Sequence, residues 1–219
     1  MESPLHELAP ADLRVIETLR YDPGTESDGG FCRLRRHLAR AERTCARLHI
    51  VFDRRACAAA LQAAVSPGPG GTLRCRLTLD RAGRPEVTVA RLEASPTPWR
   101  VRVSAIRLAS GDPWLAVKTT KRQLYDDARA GLPSGVDEVI FLNEADAVCE
   151  GTITNVFAKL DGRLVTPPLR CGLLPGVLRE EMLERGEAVE RPLRLEELQR
   201  AVALFVGNSL RGLIPAQFA

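Results

Sequence analysis

Lysine is almost missing from this chain. Of 31 basic residues only three are lysines, Lys118, Lys121 and Lys159, and arginine holds every other position. A guanidinium stays protonated at neutral pH and cannot stand in for an amine, so a retained lysine is less easily read as surface filler. Cys-x-x-Cys pairs are also missing. The six cysteines (Cys32, Cys45, Cys57, Cys75, Cys149, Cys171) are scattered and read as reduced thiols rather than a disulfide framework. No metal-ligand spacing is seen. Basic residues are not interleaved with aromatics, and the net charge is only +3, which gives no reason to expect a nucleic-acid partner. The longest apolar runs, such as 201–206, are too short to span a membrane. The opening MESPLHELAP has no signal-type apolar core, so the expected setting is the cytoplasm, with no membrane partner. There are no internal repeats and no low-complexity tract.

With 45% apolar and 27% charged residues, the composition is that of an ordinary globular protein. RVIETLRY at 14–21 reads as a strand. From Arg33 to Leu48 the apolar residues recur with helical spacing, while Arg36, Arg40, Arg43 and Arg47 share another face. An Ala-rich helix is expected at 54–65, then a loop at 66–71. A strand pair at 73–79 and 86–92 surrounds Asp80–Gly83. ASPTP at 94–98 is the best linker, since its prolines favour an extended path. The expected domains are 1–94, an α+β unit, and 99–219, joined by 95–98. A strand at 101–106 follows, then the Lys118 segment, whose Thr119 or Thr120 could cap a helix running to Ala130. Two strands joined at Asp161-Gly162 come next. A helix should run from Pro175 to Arg185 and stop at Gly186. A short helix at 196–201 and a strand at 203–206 complete the pattern.

The densest information lies at 137–179. Glu150 ends an apolar strand pattern and precedes Gly151. Leu174-Pro175-Gly176-Val177 opens a helix whose free N–H groups could hold an anion. Upstream, Lys118 follows the apolar run Trp114–Val117. A lysine, a buried acid and an anion site are what a pyridoxal phosphate enzyme requires. Each residue also has a plainer reading. Lys118 could be a strand-end lysine reaching solvent, Glu150 an exposed strand-end acid, and Arg40 one of four arginines on a solvated helix face. Cys149 is not taken as a nucleophile, because Glu150 beside it would raise its thiol pKa.

The order Glu150-Gly151-Thr152, Asn155-Val156-Phe157, Asp161-Gly162, Thr166-Pro167-Pro168, Leu174-Pro175-Gly176 and Arg179 resembles the class IV, or fold-type IV, aminotransferases. That group includes branched-chain and D-amino-acid transaminases and aminodeoxychorismate lyase. The resemblance implies a two-domain α+β fold with pyridoxal 5′-phosphate in the cleft between domains, a small amino-acid-type substrate and a homodimer. It selects among the alternatives left open above. Lys118-Thr119-Thr120 with Arg122 looks like the segment carrying the cofactor's lysine, and Glu150 takes the place of the acid against the pyridine nitrogen. His37-Leu38-Ala39-Arg40 matches the family's His-x-x-Arg and assigns Arg40 to the phosphate. Val177 and Leu178 would add backbone N–H groups, and Ser209 a hydroxyl.

Thr18, in Ile16-Glu17-Thr18-Leu19-Arg20, resembles the substrate-facing threonine of aminodeoxychorismate lyases, where branched-chain transaminases tend to have glycine. Its plainer reading is a threonine suited to a strand. The lyase, releasing 4-aminobenzoate and pyruvate, is therefore the expected activity. A class IV transaminase acting on branched-chain or D-amino acids is the alternative, and a non-catalytic relic that binds cofactor or a partner without turnover is a third reading. Three departures stand out. Leu178 occupies a place where threonine is common. Gln123 stands where some transaminases have tyrosine, with Tyr125 two residues on, so that role is not carried over. Only fifteen residues precede the Ile-Glu-Thr segment, which bears on substrate specificity more than on cofactor binding.

Overall fold

The computed structural model describes residues 5–25, 27–66, 70–95 and 97–219. The loop read at 66–71 and the linker at 95–98 take in residues 67–69 and 96, which, with residues 1–4, lie outside the described residues; residues 5–8 form turns. The chain divides into two units, Met1–Ala94 with Val117–Lys121, and Ser95–Ala116 with Arg122–Ala219.

The first unit contains β1 (Val15–Tyr21), α1 (Leu34–Arg47), α2 (Arg54–Val65), β2 (Leu73–Leu79) and β3 (Pro85–Arg91), with the strands antiparallel in the order β1-β2-β3. The period of two in β2 sets its burial. Leu73, Cys75, Leu77 and Leu79 are buried, whereas Arg74 and Arg76 are exposed, as alternation across a sheet requires. α2 starts where Asp53 accepts a hydrogen bond from the Ala56 N–H at 2.9 Å, satisfying one of the donors a helix start leaves open. α1 packs on β1, and α2 on β2 and β3.

The second unit holds β4 (Trp99–Leu108), α3 (Gln123–Ala130), β5 (Glu138–Asn143), β6 (Val148–Gly151), β7 (Asn155–Leu160), β8 (Arg163–Thr166), α4 (Val177–Glu184), β9 (Val189–Glu190), α5 (Leu195–Arg200), β10 (Ala203–Asn208) and β11 (Gly212–Phe218). Its sheet runs β10-β11-β4-β5-β6-β7-β8-β9, and β10 also pairs with β7, closing the sheet on itself. Its core includes Val101, Ile140, Val148, Val156 and Val206. The β7–β8 hairpin turns at Asp161 (φ 49°) and Gly162 (φ 77°), the paired positive φ that Asp-Gly supports in a two-residue turn.

Several expectations need correction. Neither Thr119 nor Thr120 caps α3, which begins at Gln123. The Thr120 hydroxyl accepts from the Arg14 N–H at 2.9 Å and that of Thr119 from Lys121 N–H at 3.3 Å. Val117–Lys121 is held by the first unit, although the sequence reading placed it in the second. The polypeptide therefore passes from one unit to the other more than once. β11 was not expected, because Gly212 and Pro215 interrupt the alternation; it forms by pairing with β10 on one side and β4 on the other.

Candidate active site

In the first unit, Lys118 sits beside β1. The Ile16 N–H donates to the Lys118 carbonyl at 2.9 Å, the Thr120 N–H to the Arg14 carbonyl at 2.9 Å, and Val15 and Thr119 form an antiparallel bridge. Ile16 thus lies opposite Lys118, and directly opposed residues share a face. Thr18 is two residues on and shares it too. Lys118 and Thr18 are both half-buried.

Glu17 points to the other face, toward α1, and is 1% exposed. Arg40 donates to it from Nε (2.8 Å to Oε1) and Nη2 (2.7 Å to Oε2), and His37 Nδ1 lies 2.6 Å from Oε2. Burial alone would raise the Glu17 carboxyl. The charge and hydrogen bonds of Arg40, and then His37, more than offset it and hold the group at about 2. Burial lowers His37, against the pull of Glu17, with Arg40 and Lys118 adding to the lowering. A neutral His37 carrying its proton on Nδ1 satisfies this geometry. Arg40 is 5% exposed, whereas Arg43 and Arg47 are exposed. The four arginines are not one solvated face, and Glu17 fixes one edge of the Arg40 fork.

In the second unit, Glu150 lies near the end of β6 and is 6% exposed. Its Oε1 accepts from the Tyr125 hydroxyl at 2.7 Å and its Oε2 from the Leu174 N–H at 3.0 Å. Burial, then the Glu150 charge, pushes the Tyr125 phenol up, so the hydroxyl stays protonated and donates. Asn155, opposite Glu150 on β7, donates from Nδ2 to the Leu174 carbonyl at 3.1 Å. This ties the acid to the loop that enters α4. The buried Arg179 of α4 donates to the Pro167 carbonyl at 2.7 Å and pairs with Glu190, anchoring the helix from behind.

α4 begins at Val177, two residues later than expected, with Gly176 as its N-cap. A side chain there would place its Cβ 1.8 Å from Asn155 Oδ1, so only glycine lets the helix start approach β7. Gly176→Ala is expected to lower stability by about 1–3 kcal/mol, from overpacking, which a drop in thermal midpoint would report. Val177 and Leu178, 1% and 5% exposed, open the helix, where first-turn N–H groups have no intrahelical acceptor and the dipole favours an anion. Ser209 is 7% exposed and follows β10 closely. A Cβ on Gly207 would lie 3.1 Å from Leu178 Cδ2, so the end of β10 runs beside the first turn of α4. Cys149 is buried, and burial followed by the Glu150 charge pushes its thiol up, which suits an inert core thiol.

Lys118, Thr18 and Arg40 thus belong to the first unit, with Lys118 and Thr18 on one face of β1 and Arg40 bound to Glu17 on the other, while Glu150, Val177, Leu178 and Ser209 belong to the second. The sequence reading missed Tyr125, Glu17 and the Leu174 N–H. Tyr125 reaches Glu150 only because α3 starts where it does, for which no local signal exists. Glu17 carried one: a lone acid inside a largely apolar strand, followed by the arginine-rich helix that starts at Leu34, asks for a buried cation.

The amino-transferase class IV family matches residues 14–217. A protein from Mesorhizobium loti, provisionally assigned as an amino-acid aminotransferase, is similar in structure, with TM-score 0.88 and 44% identity over 95% of this chain and 100% of that one. The 4-amino-4-deoxychorismate lyase of Pseudomonas aeruginosa is 29% identical, with TM-score 0.81, covering 100% of this chain and 87% of its own. A Thermotoga maritima protein, provisionally assigned as a branched-chain-amino-acid aminotransferase, is 33% identical over 36% of this chain and 31% of its own. The matched stretch spans about a third of the curated relatives' length, 31% and 30% for the first two. The α+β architecture is that of fold-type IV. From residue 14 nearly to its end, the chain belongs to the class IV amino-transferase family.

Proposed function

We propose that this chain is a pyridoxal 5′-phosphate-dependent 4-amino-4-deoxychorismate lyase that releases 4-aminobenzoate and pyruvate and works as a homodimer. The donor set fits the cofactor. Lys118 supplies an amine, Glu150 an acid with both oxygens already oriented, and Arg40 a guanidinium whose edge Glu17 fixes. The start of α4 supplies N–H groups beside Ser209 for a phosphate. When bound, the cofactor supplies an electron sink for the carbanion formed at the substrate's α-carbon.

Within that frame each side chain has one task. Glu150 would keep the pyridine nitrogen protonated, and the Tyr125 hydroxyl and Leu174 N–H hold the two carboxylate oxygens of Glu150 in place. Arg40, the first-turn N–H groups of Val177 and Leu178, and the Ser209 hydroxyl would hold the phosphate. The Lys118 amine accepts the α-proton and returns one to a departing fragment. Thr18 relays a proton through its hydroxyl.

The observation carrying the lyase reading is Thr18 on the same face of β1 as Lys118, set by the Ile16–Lys118 backbone bond. The test is incubation with aminodeoxychorismate and no oxo acid. Release of 4-aminobenzoate is the expected result. A second reading, a transaminase, is favoured by the 44% identity to the Mesorhizobium loti protein. It predicts amino-group transfer only after an oxo acid is added, and that outcome would replace the lyase reading.

A further inference from the structure

Glu138 begins β5 and is fully buried, at 0% exposure. No task above uses it. A buried carboxylate is costly unless its oxygens are satisfied, and here they are satisfied by one short stretch of chain. Oε1 accepts from the Thr152 N–H (2.9 Å) and the Thr152 hydroxyl (2.6 Å). It also takes the Val139 N–H at 3.1 Å. Oε2 accepts from the Ile153 N–H (3.3 Å) and the Thr154 hydroxyl (3.0 Å). Arg129 Nη1 lies 3.8 Å from Oε1 and donates to the Thr152 hydroxyl at 3.1 Å. The reversal between β6 and β7 is therefore moulded around a single carboxylate.

Gly151 shows how tight the mould is. A Cβ there would lie 2.8 Å from both Cδ and Oε2 of Glu138 and 2.4 Å from the Thr154 hydroxyl. The glycine that follows Glu150 is needed because Glu138 occupies the space a side chain would take. The Gly151 N–H also closes the turn onto the Thr154 carbonyl at 2.7 Å. The next residue, Asn155, pairs with Glu150.

We infer that Glu138 is a positioning residue for Glu150. It fixes the backbone on the C-terminal side of that acid, as Tyr125 and the Leu174 N–H fix its oxygens. The inference rests on the pyridoxal phosphate reading of Glu150. Supporting groups of this kind fix the orientation of the group that meets a cofactor and are needed for accurate placement.

Glu138→Gln keeps the shape but turns an amide toward the Ile153 N–H and the Thr154 hydroxyl, displacing the turn. The full chain is titrated with pyridoxal 5′-phosphate and followed by visible absorption across pH. Relative to the unaltered chain, Glu138→Gln is expected to bind about tenfold more weakly, the equivalent of one buried donor left without its acceptor. Its band should move to shorter wavelength and titrate at higher pH, because a misplaced Glu150 leaves the ring nitrogen less protonated. Thr154→Val, which deletes one donor, should shift the band the same way by less, and it decides the matter by the same criteria if Glu138→Gln does not fold. A lowered thermal midpoint with unchanged cofactor affinity, band position and titration would overturn the inference and leave Glu138 a merely stabilising group. A failure of the unaltered chain to take up the cofactor would overturn the cofactor reading and, with it, this inference.

Discussion

Replacing Lys118 with alanine is expected to abolish the red-shifted band that pyridoxal 5′-phosphate gains on condensing with a protein amine, leaving only the absorption of the free aldehyde, and to lower turnover by roughly a thousandfold or more, the scale seen when a group bonded to the reacting centre is removed. The fold should survive, because the tie between Lys118 and β1 runs through the main-chain carbonyl, which accepts from Ile16 N–H at 2.9 Å. Arginine at 118 should fail equally, since it keeps the charge but cannot lose a proton. The scarcity of lysine makes the control clean. Borohydride treatment of the loaded protein should mark one peptide, and substitution of Lys121 or Lys159, the two other lysines in the chain, should leave the mark in place. A mark on either of those residues, or full colour in Lys118→Ala, would remove Lys118 from the mechanism.

The second large effect concerns stability. Glu17→Gln should cost about 3–5 kcal/mol, because it removes one charge of the buried, doubly hydrogen-bonded Glu17–Arg40 pair. For a chain of this size each kcal/mol moves the thermal midpoint by roughly 2–4 °C. The pH dependence has a definite sign. Glu17 titrates near 4.5 when the chain is unfolded and is held at about 2 in the fold. Its contribution is complete above 4.5 and is lost as pH falls toward 2. His37 acts in the same direction, since its folded value lies below the ordinary 6.5, so the unfolded chain takes up the proton first. Acid unfolding followed by circular dichroism should show a steep loss below pH 4.5 that Glu17→Gln largely flattens. An unaltered acid limb would mean that other carboxylates set it.

How much of this could be read from the sequence depends on where each signal resides. Local chemistry was legible. α2 spans Arg54–Val65 as its spacing indicated, with Asp53 at its start, and β2 spans Leu73–Leu79 by strict alternation. The Asp161-Gly162 turn followed from its two residues. Long-range pairing was not legible. β11 exists because two strands flank it, and the Lys118 segment left its expected unit to pair with β1. Among candidate site residues, the acid at 150 and the helix start near 176 carried local signals. By helical spacing alone Arg40 looked like its neighbours; the His37-x-x-Arg40 resemblance selected it, and its burial against Glu17 sets it apart from the exposed Arg43 and Arg47. Tyr125 and Glu138 carried none, because their roles depend on hydrogen bonds to residues 14 or more positions away.

The loan of residues 117–121 to the first unit has a consequence for how this protein is made. A ribosome that has released residues 1–94 has not yet delivered the strip that carries Lys118, and a gene split at that boundary would yield a fragment lacking the segment bridged to β1. The amine-bearing unit is completed only after the opening of its neighbour has been synthesised, which couples the birth of the two halves.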